Sequence, residues 1–166
     1  MPILCALPAD IPALTRLVNS AYRGDGGWTN ESHIMEGPRT NEAGIAELMA
    51  DRKSMILEYT GEDNVLTGCV YLQKQGDKLY LGLLSVDPAS QGRGVGKDLL
   101  GAAVAYAREN ACTAIRITVI SVRHELIAWY ERHGYQRTGE TESFHAGEKF
   151  GIRKQPLELV VLERAV

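Results

Sequence analysis

Three glycines occur within five residues of the segment Gln91-Gly92-Arg93-Gly94-Val95-Gly96-Lys97. Glycine lets backbone N–H groups converge and removes side chains that would block an approaching anion. The apolar spacing that follows predicts a helix, whose first N–H groups and dipole also favour negative charge. Arg93 and Lys97 add mobile positive charge. The segment is suited to cradle a pyrophosphate. Its plainer reading is a glycine-rich turn that only starts a helix. Two familiar phosphate loops do not fit. A Walker loop needs Gly five residues before Gly96 and Ser or Thr after Lys97, but Gln91 and Asp98 stand there. A dinucleotide fingerprint beginning at Gly92 needs Gly or Ala where Lys97 stands.

The neighbouring sequence adds a second motif. Leu83-Leu84-Ser85-Val86-Asp87-Pro88 precedes Gln91-x-x-Gly94-x-Gly96, and Ala128-Trp129-Tyr130-Glu131-Arg132-His133-Gly134-Tyr135 follows after a helix and a strand. Together they closely resemble the GNAT superfamily of acyl-CoA N-acyltransferases. The resemblance is specific from about Leu79 to Gly139 and elsewhere rests on the order of elements. It implies that the backbone of Leu84, Ser85 and Val86 meets the pantetheine arm and thioester oxygen of acetyl-CoA. It assigns the pyrophosphate to the backbone of Gln91, Gly92, Arg93, Gly94, Val95, Gly96 and Lys97.

By the same resemblance Tyr130 protonates the departing thiolate. A phenol with a pKa near ~10 stays protonated at neutral pH, and a thiol near ~8.5 leaves as a thiolate that a phenol can hydrogen-bond. Read alone, Tyr130 is a core aromatic beside Leu126, Ile127 and Trp129. Two departures from the family pattern stand out. Arg123 occupies the place of an Asn that contacts CoA; it either reaches a phosphate or is solvated. Tyr80 and Thr118 occupy the positions where some members carry a Glu base. The base is left open among Glu31, His33, His145 and relayed water.

The resemblance implies that acceptors enter beside the loop between the first two helices and near the last strands. Here the first of these holds Trp28, Glu31 and Arg39. Trp28 offers an apolar wall, Glu31 a partner for an ammonium, and Arg39 a fork for a carboxylate. The plainer alternative plugs Trp28 into the core and leaves the charges solvated.

The elements that must position these residues are readable in outline. Ile3 to Leu7 predicts an edge strand. Asp10 reads as an N-cap before a helix whose stripe is Ile11, Leu14, Leu17, Val18, Ala21 and Tyr22, stopping near Gly24. Arg23 to Asn41 shows little periodicity, and a connection of that length is uncommon unless functional or disordered. A helix carrying Ile45, Leu48 and Met49 follows, then strands at Met55–Thr60, Val65–Gln73 and Leu79–Val86 joined by hairpin-like gaps. Val95 to Ala107 is a helix, Ala114–Ser121 a buried strand, and His124–His133 a helix with Gly134 as its C-cap. The chain is extended again from Tyr135, and Leu157–Leu162 is a last strand. The reading is one α/β domain over residues 1–166, a GNAT-like mixed central β-sheet with helices on both faces.

Composition agrees. The 166 residues are 45% hydrophobic and 23% charged, with a net charge of −3 and no basic block. That argues against nucleic acid or anionic lipid as partners. No apolar run approaches the ~20 residues that span a bilayer. Met1-Pro2-Ile3-Leu4 lacks the features of a signal peptide, and Cys5, Cys69 and Cys112 are too scattered for a disulfide framework or a metal pair. The expected setting is cytoplasmic, with acetyl-CoA as cosubstrate, no metal, a small-molecule primary amine as acceptor, and a homodimer as the family's analogy. Acetylation of protein N-termini or lysines is an alternative. A CoA-binding sensor without turnover is another, favoured by the missing Glu.

Overall fold

The computed structural model describes residues 3–23, 35–36, 39–143, 152–153 and 157–166. In chain order its elements are β1 (Ile3–Cys5), α1 (Ile11–Arg23), β2 (Met35–Glu36), α2 (Glu42–Ala50), β3 (Ser54–Thr60), β4 (Leu66–Gln75), β5 (Lys78–Val86), α3 (Val95–Glu109), β6 (Ala114–Ile120), α4 (His124–Arg132), β7 (Gln136–Ser143), β8 (Ile152–Arg153) and β9 (Glu158–Ala165). One seven-stranded sheet has the order β1-β3-β4-β5-β6-β9-β7, and β2 pairs separately with β8. Within that sheet β5 and β6 run parallel and the other pairs antiparallel. This is the expected mixed sheet, with β1 at its edge.

Helices cover both faces. Along β4, Val70 and Leu72 point into one core with Leu99 and Ala103 of α3 and Ile127 of α4. Cys69 and Tyr71 point into the other, with Leu14 and Val18 of α1 and Ile45 of α2. A strand covered on both faces reads as a continuous apolar run, as Cys69-Val70-Tyr71-Leu72 does. In α1 the buried residues Leu14, Leu17, Val18 and Ala21 follow helical spacing.

Three details differ from the sequence reading. Asp10 does not cap α1; its carboxylate accepts the Leu7 N–H at 2.9 Å and closes a 3-10 turn, Pro8–Asp10, ahead of the helix. β4 and β5 extend to Gln75 and from Lys78, because Gly76 supplies the positive φ of 64° that lets Gly76-Asp77 alone turn the chain. The connection read as irregular contains β2, whose Met35 and Glu36 pair with Arg153 and Ile152.

Two irregularities of β5 shape the space beside it. Cys69 pairs with Ser85, but Tyr71 pairs with Gly82, so Leu83 and Leu84 together face Val70. This β-bulge holds Leu83 at a φ of 51° and reverses the alternation of side chains. Leu79 and Leu81 face the α3 side before it; Leu84 and Val86 face that side after it. The second irregularity is a short ladder. β5 pairs with β6 only from Lys78–Ala114 to Tyr80–Arg116, although both strands continue. Beyond that point they part.

Candidate active site

The end of β5, the glycine loop, α4 and the last turn of α1 surround a cleft of about 770 Å³. Leu84 and Val86 form its floor, and Gln91, Gly92, Gly94, Val95, Gly96 and Lys97 its rim. Gly92 and Gly94 stand at φ of 84° and 82°, and a Cβ on either would meet no atom within 4 Å. Their requirement is conformational: L side chains rarely adopt that φ. Gly96 differs. A Cβ there would lie 3.2 Å from the Trp129 ring, so this glycine lets α3 and α4 pack closely. α3 begins at Val95 with Gly94 at its N-cap, and its first N–H groups lack intrahelical acceptors. Lys97, Arg123 and Arg132 also line the cleft, and no Asp or Glu does among the described residues.

A second cavity of about 210 Å³ lies between the parted strands, with Tyr80–Leu83 on one side and Ile117–Ile120 on the other. Tyr22, Arg123, Leu126 and Tyr130 line both spaces. Tyr130 is 5% exposed, with its ring edge-on to Trp129 at 5.1 Å and to Tyr135 at 5.5 Å. Burial raises its pKa well above that of a free phenol; Tyr22 and Tyr135 reinforce the rise and Arg123 opposes it. The side chain is therefore a neutral hydroxyl at the junction of the two cavities.

Arg123 is 7% exposed, which overturns its reading as a solvated residue. Its guanidinium carbon lies 5.7 Å from the centre of the Tyr22 ring, and that of Arg39 lies 5.2 Å from the same ring. Arg39 lines the second cavity, as do Tyr80 and Thr118, the positions without the expected carboxylate. Arg93 does not line the cleft. Ser85 does not line the cleft either; its buried hydroxyl donates to the Leu83 carbonyl at 2.9 Å on the Cys69 side of the sheet. Trp28, Glu31, His33 and His145 fall outside the described residues. Sequence reasoning placed Tyr22 in the apolar stripe of α1 and passed over Asn19. The available signal was their position in the last turns of a helix that opens into a long aperiodic segment.

The Acetyltransferase (GNAT) family model matches residues 14–135. An acetyltransferase of Agrobacterium fabrum is 26% identical over 99 residues, which cover 60% of this chain and 71% of that protein. The crystal structure of the ribosomal-protein-S18-alanine N-acetyltransferase from Escherichia coli superposes with a TM-score of 0.75 at 16% identity, over 99% of this chain and 92% of that one. That of nourseothricin acetyltransferase superposes with a TM-score of 0.71 at 18% identity, over 98% and 96%. The family match covers most of the chain and includes the glycine loop and Tyr130: the chain belongs to the Acetyltransferase (GNAT) family and is an acyltransferase enzyme.

Proposed function

We propose that the chain transfers the acetyl group of acetyl-CoA to the primary amine of a small molecule, by direct attack in a ternary complex. The observation that carries the reading is the junction at Tyr130, which lines both the cleft and the second cavity. The cleft suits CoA in size, since ligand sites commonly span ~300–1,000 Å³. It also suits CoA in charge. The glycine loop, the start of α3 and Lys97 receive the pyrophosphate, Arg123 reaches a phosphate, and the backbone from Leu84 to Val86 receives the pantetheine arm.

The acceptor amine enters from the second cavity and its nitrogen attacks the thioester carbonyl carbon. The C–S bond breaks as the tetrahedral species collapses, and the Tyr130 hydroxyl gives its proton to the departing sulfur. The proton lost by the amine returns to the phenolate through water or through Glu31, His33 or His145, since no Asp, Glu or His lines either space among the described residues. Holding both reactants in line supplies much of the rate. Among the described lining residues there is no cysteine, and burial pushes the Cys69 thiol up to about 12. A covalent acetyl-cysteine route is therefore not favoured.

At about 210 Å³ the second cavity falls below the ~300–1,000 Å³ of common ligand sites, which favours a small acceptor over a protein segment. The missing carboxylate favours one other reading, a CoA sensor without turnover. Free thiol released from acetyl-CoA only when amines are present supports the transferase. Tight CoA binding with no thiol release from any amine or peptide supports the sensor.

A further inference from the structure

We infer that the second cavity is an acid-recognition subsite, and that the acceptor is an amine bearing a carboxylate which Arg39 grips. This rests on the transferase reading of the same site. Three guanidinium side chains, Arg23, Arg39 and Arg123, line a space of about 210 Å³, and no acidic side chain does among the described residues.

Arg39 is mounted rather than dangling. On α1, the Asn19 Oδ1 accepts the N–H of Arg39 at 2.7 Å and that of Thr40 at 3.0 Å, while its Nδ2 donates to the Thr40 carbonyl at 3.0 Å. Thr40 is 4% exposed, so this clasp is anchored in the protein's interior. It fixes the backbone from which the Arg39 side chain departs. The guanidinium then rests over Tyr22, 5.2 Å from the ring centre, and Arg39 forms no ion pair among the described residues. A guanidinium held on an aromatic face keeps its N–H fork available at its edge, and that fork matches the two oxygens of a carboxylate. The same Tyr22 ring lines the space shared with Tyr130. Arg39 thus holds the acid end of an acceptor whose amine can reach the transfer point. Asn19 is a positioning residue that acts through Arg39.

The test uses the common L-amino acids and their carboxamides as matched pairs, with thiol release from acetyl-CoA as the readout. A hydrogen-bonded charge pair predicts that the acid of a used pair exceeds its amide in kcat/KM by about 10- to 150-fold. Arg39→Gln should bring acid and amide level, and Arg39→Lys should restore only part of the difference, because an ammonium lacks the fork. Asn19→Ala should raise KM for the acid and leave kcat and CoA affinity unchanged. The same pairs are also scored by thermal shift, with and without saturating CoA. Acids that raise Tm where amides do not, lost in Arg39→Gln, support the subsite even if no amine is acetylated and the transferase reading fails. Acid and amide indistinguishable in both turnover and thermal shift would overturn it. So would equal losses for both in Arg39→Gln.

Discussion

The hydroxyl of Tyr130 is held neutral by its surroundings, chiefly by burial. A raised phenol pKa keeps the proton in place to higher pH, so the donor form persists through the neutral range and beyond ~10. Tyr130→Phe keeps the ring contacts with Trp129 and Tyr135 and removes only the donor. Turnover should fall by ~10²–10⁴-fold with little change in CoA affinity. In the native enzyme, no loss of rate between pH 6 and 9 should trace to ionisation of this phenol. Stopped thiol-release rates and calorimetry with CoA, run on both proteins, check this; normal turnover in Tyr130→Phe would make the side chain a packing residue. Tyr130 was legible in the sequence because Trp129-Tyr130 and Gly134-Tyr135 keep a recognisable spacing. Tyr22 was not. A tyrosine at an apolar helix position reads as core, and only the fold shows that its ring lies under two guanidinium groups. Gly96 was read as part of the anion cradle, whereas its contact with Trp129 also serves helix packing.

Among the elements, the loop that enters α3 depends on left-handed backbone at Gly92 and Gly94. Gly94→Ala forces a Cβ onto that conformation at a cost of ~1–2 kcal/mol. Gly76→Ala imposes a similar strain at a φ of 64° in the β4–β5 turn, and neither Cβ meets a protein atom within 4 Å. Both variants should lose comparable stability by denaturant titration, but only Gly94→Ala should lose CoA affinity. Equal CoA binding by the two would remove the loop from the cofactor site. A second element-level device sits where β3 meets the turn before α1. Glu58 is 8% exposed; burial first, then the Asp10 carboxylate beside it, raises its pKa from 4.5 to about 7. Below pH 4.5 both folded and unfolded chains hold the proton, and the folded state bears no ionisation cost. As pH rises from 4.5 through 7 the unfolded chain ionises first, so Glu58's contribution to stability is lost. Glu58→Gln should therefore raise Tm by a few degrees at pH 8 and hardly change it near pH 4.5, as read by scanning calorimetry. Helices α1, α2, α3 and α4 and strand β6 were legible from periodicity and β-branched runs. The bulge at Leu83 was not, because Leu79 to Leu84 is apolar on both faces and shows no break in alternation. The β2–β8 pair was hidden because two residues cannot display a period.

At the scale of the molecule, the order of strands decides the chemistry. The parallel β5–β6 contact ends after three residue pairs, and the strands' divergence opens the second cavity, which meets the cleft at Tyr22, Arg123, Leu126 and Tyr130. The mixed sheet and its covered faces were legible, since strands followed by alternating helices and strands leave few arrangements. The divergence was not legible, because no residue pattern in β6 marks where pairing stops. Charge follows the same logic. The chain carries −3 overall, yet the charged residues lining the cleft and the second cavity are all cationic among those described. The central claim is that the amine and the thioester occupy adjoining spaces together and react directly at Tyr130. Initial rates of thiol release, with acetyl-CoA and amine both varied, test it most directly. Intersecting double-reciprocal lines, with no acetylated protein on mass analysis in the absence of amine, are the predicted result. Parallel lines with an acetyl-enzyme would contradict the account.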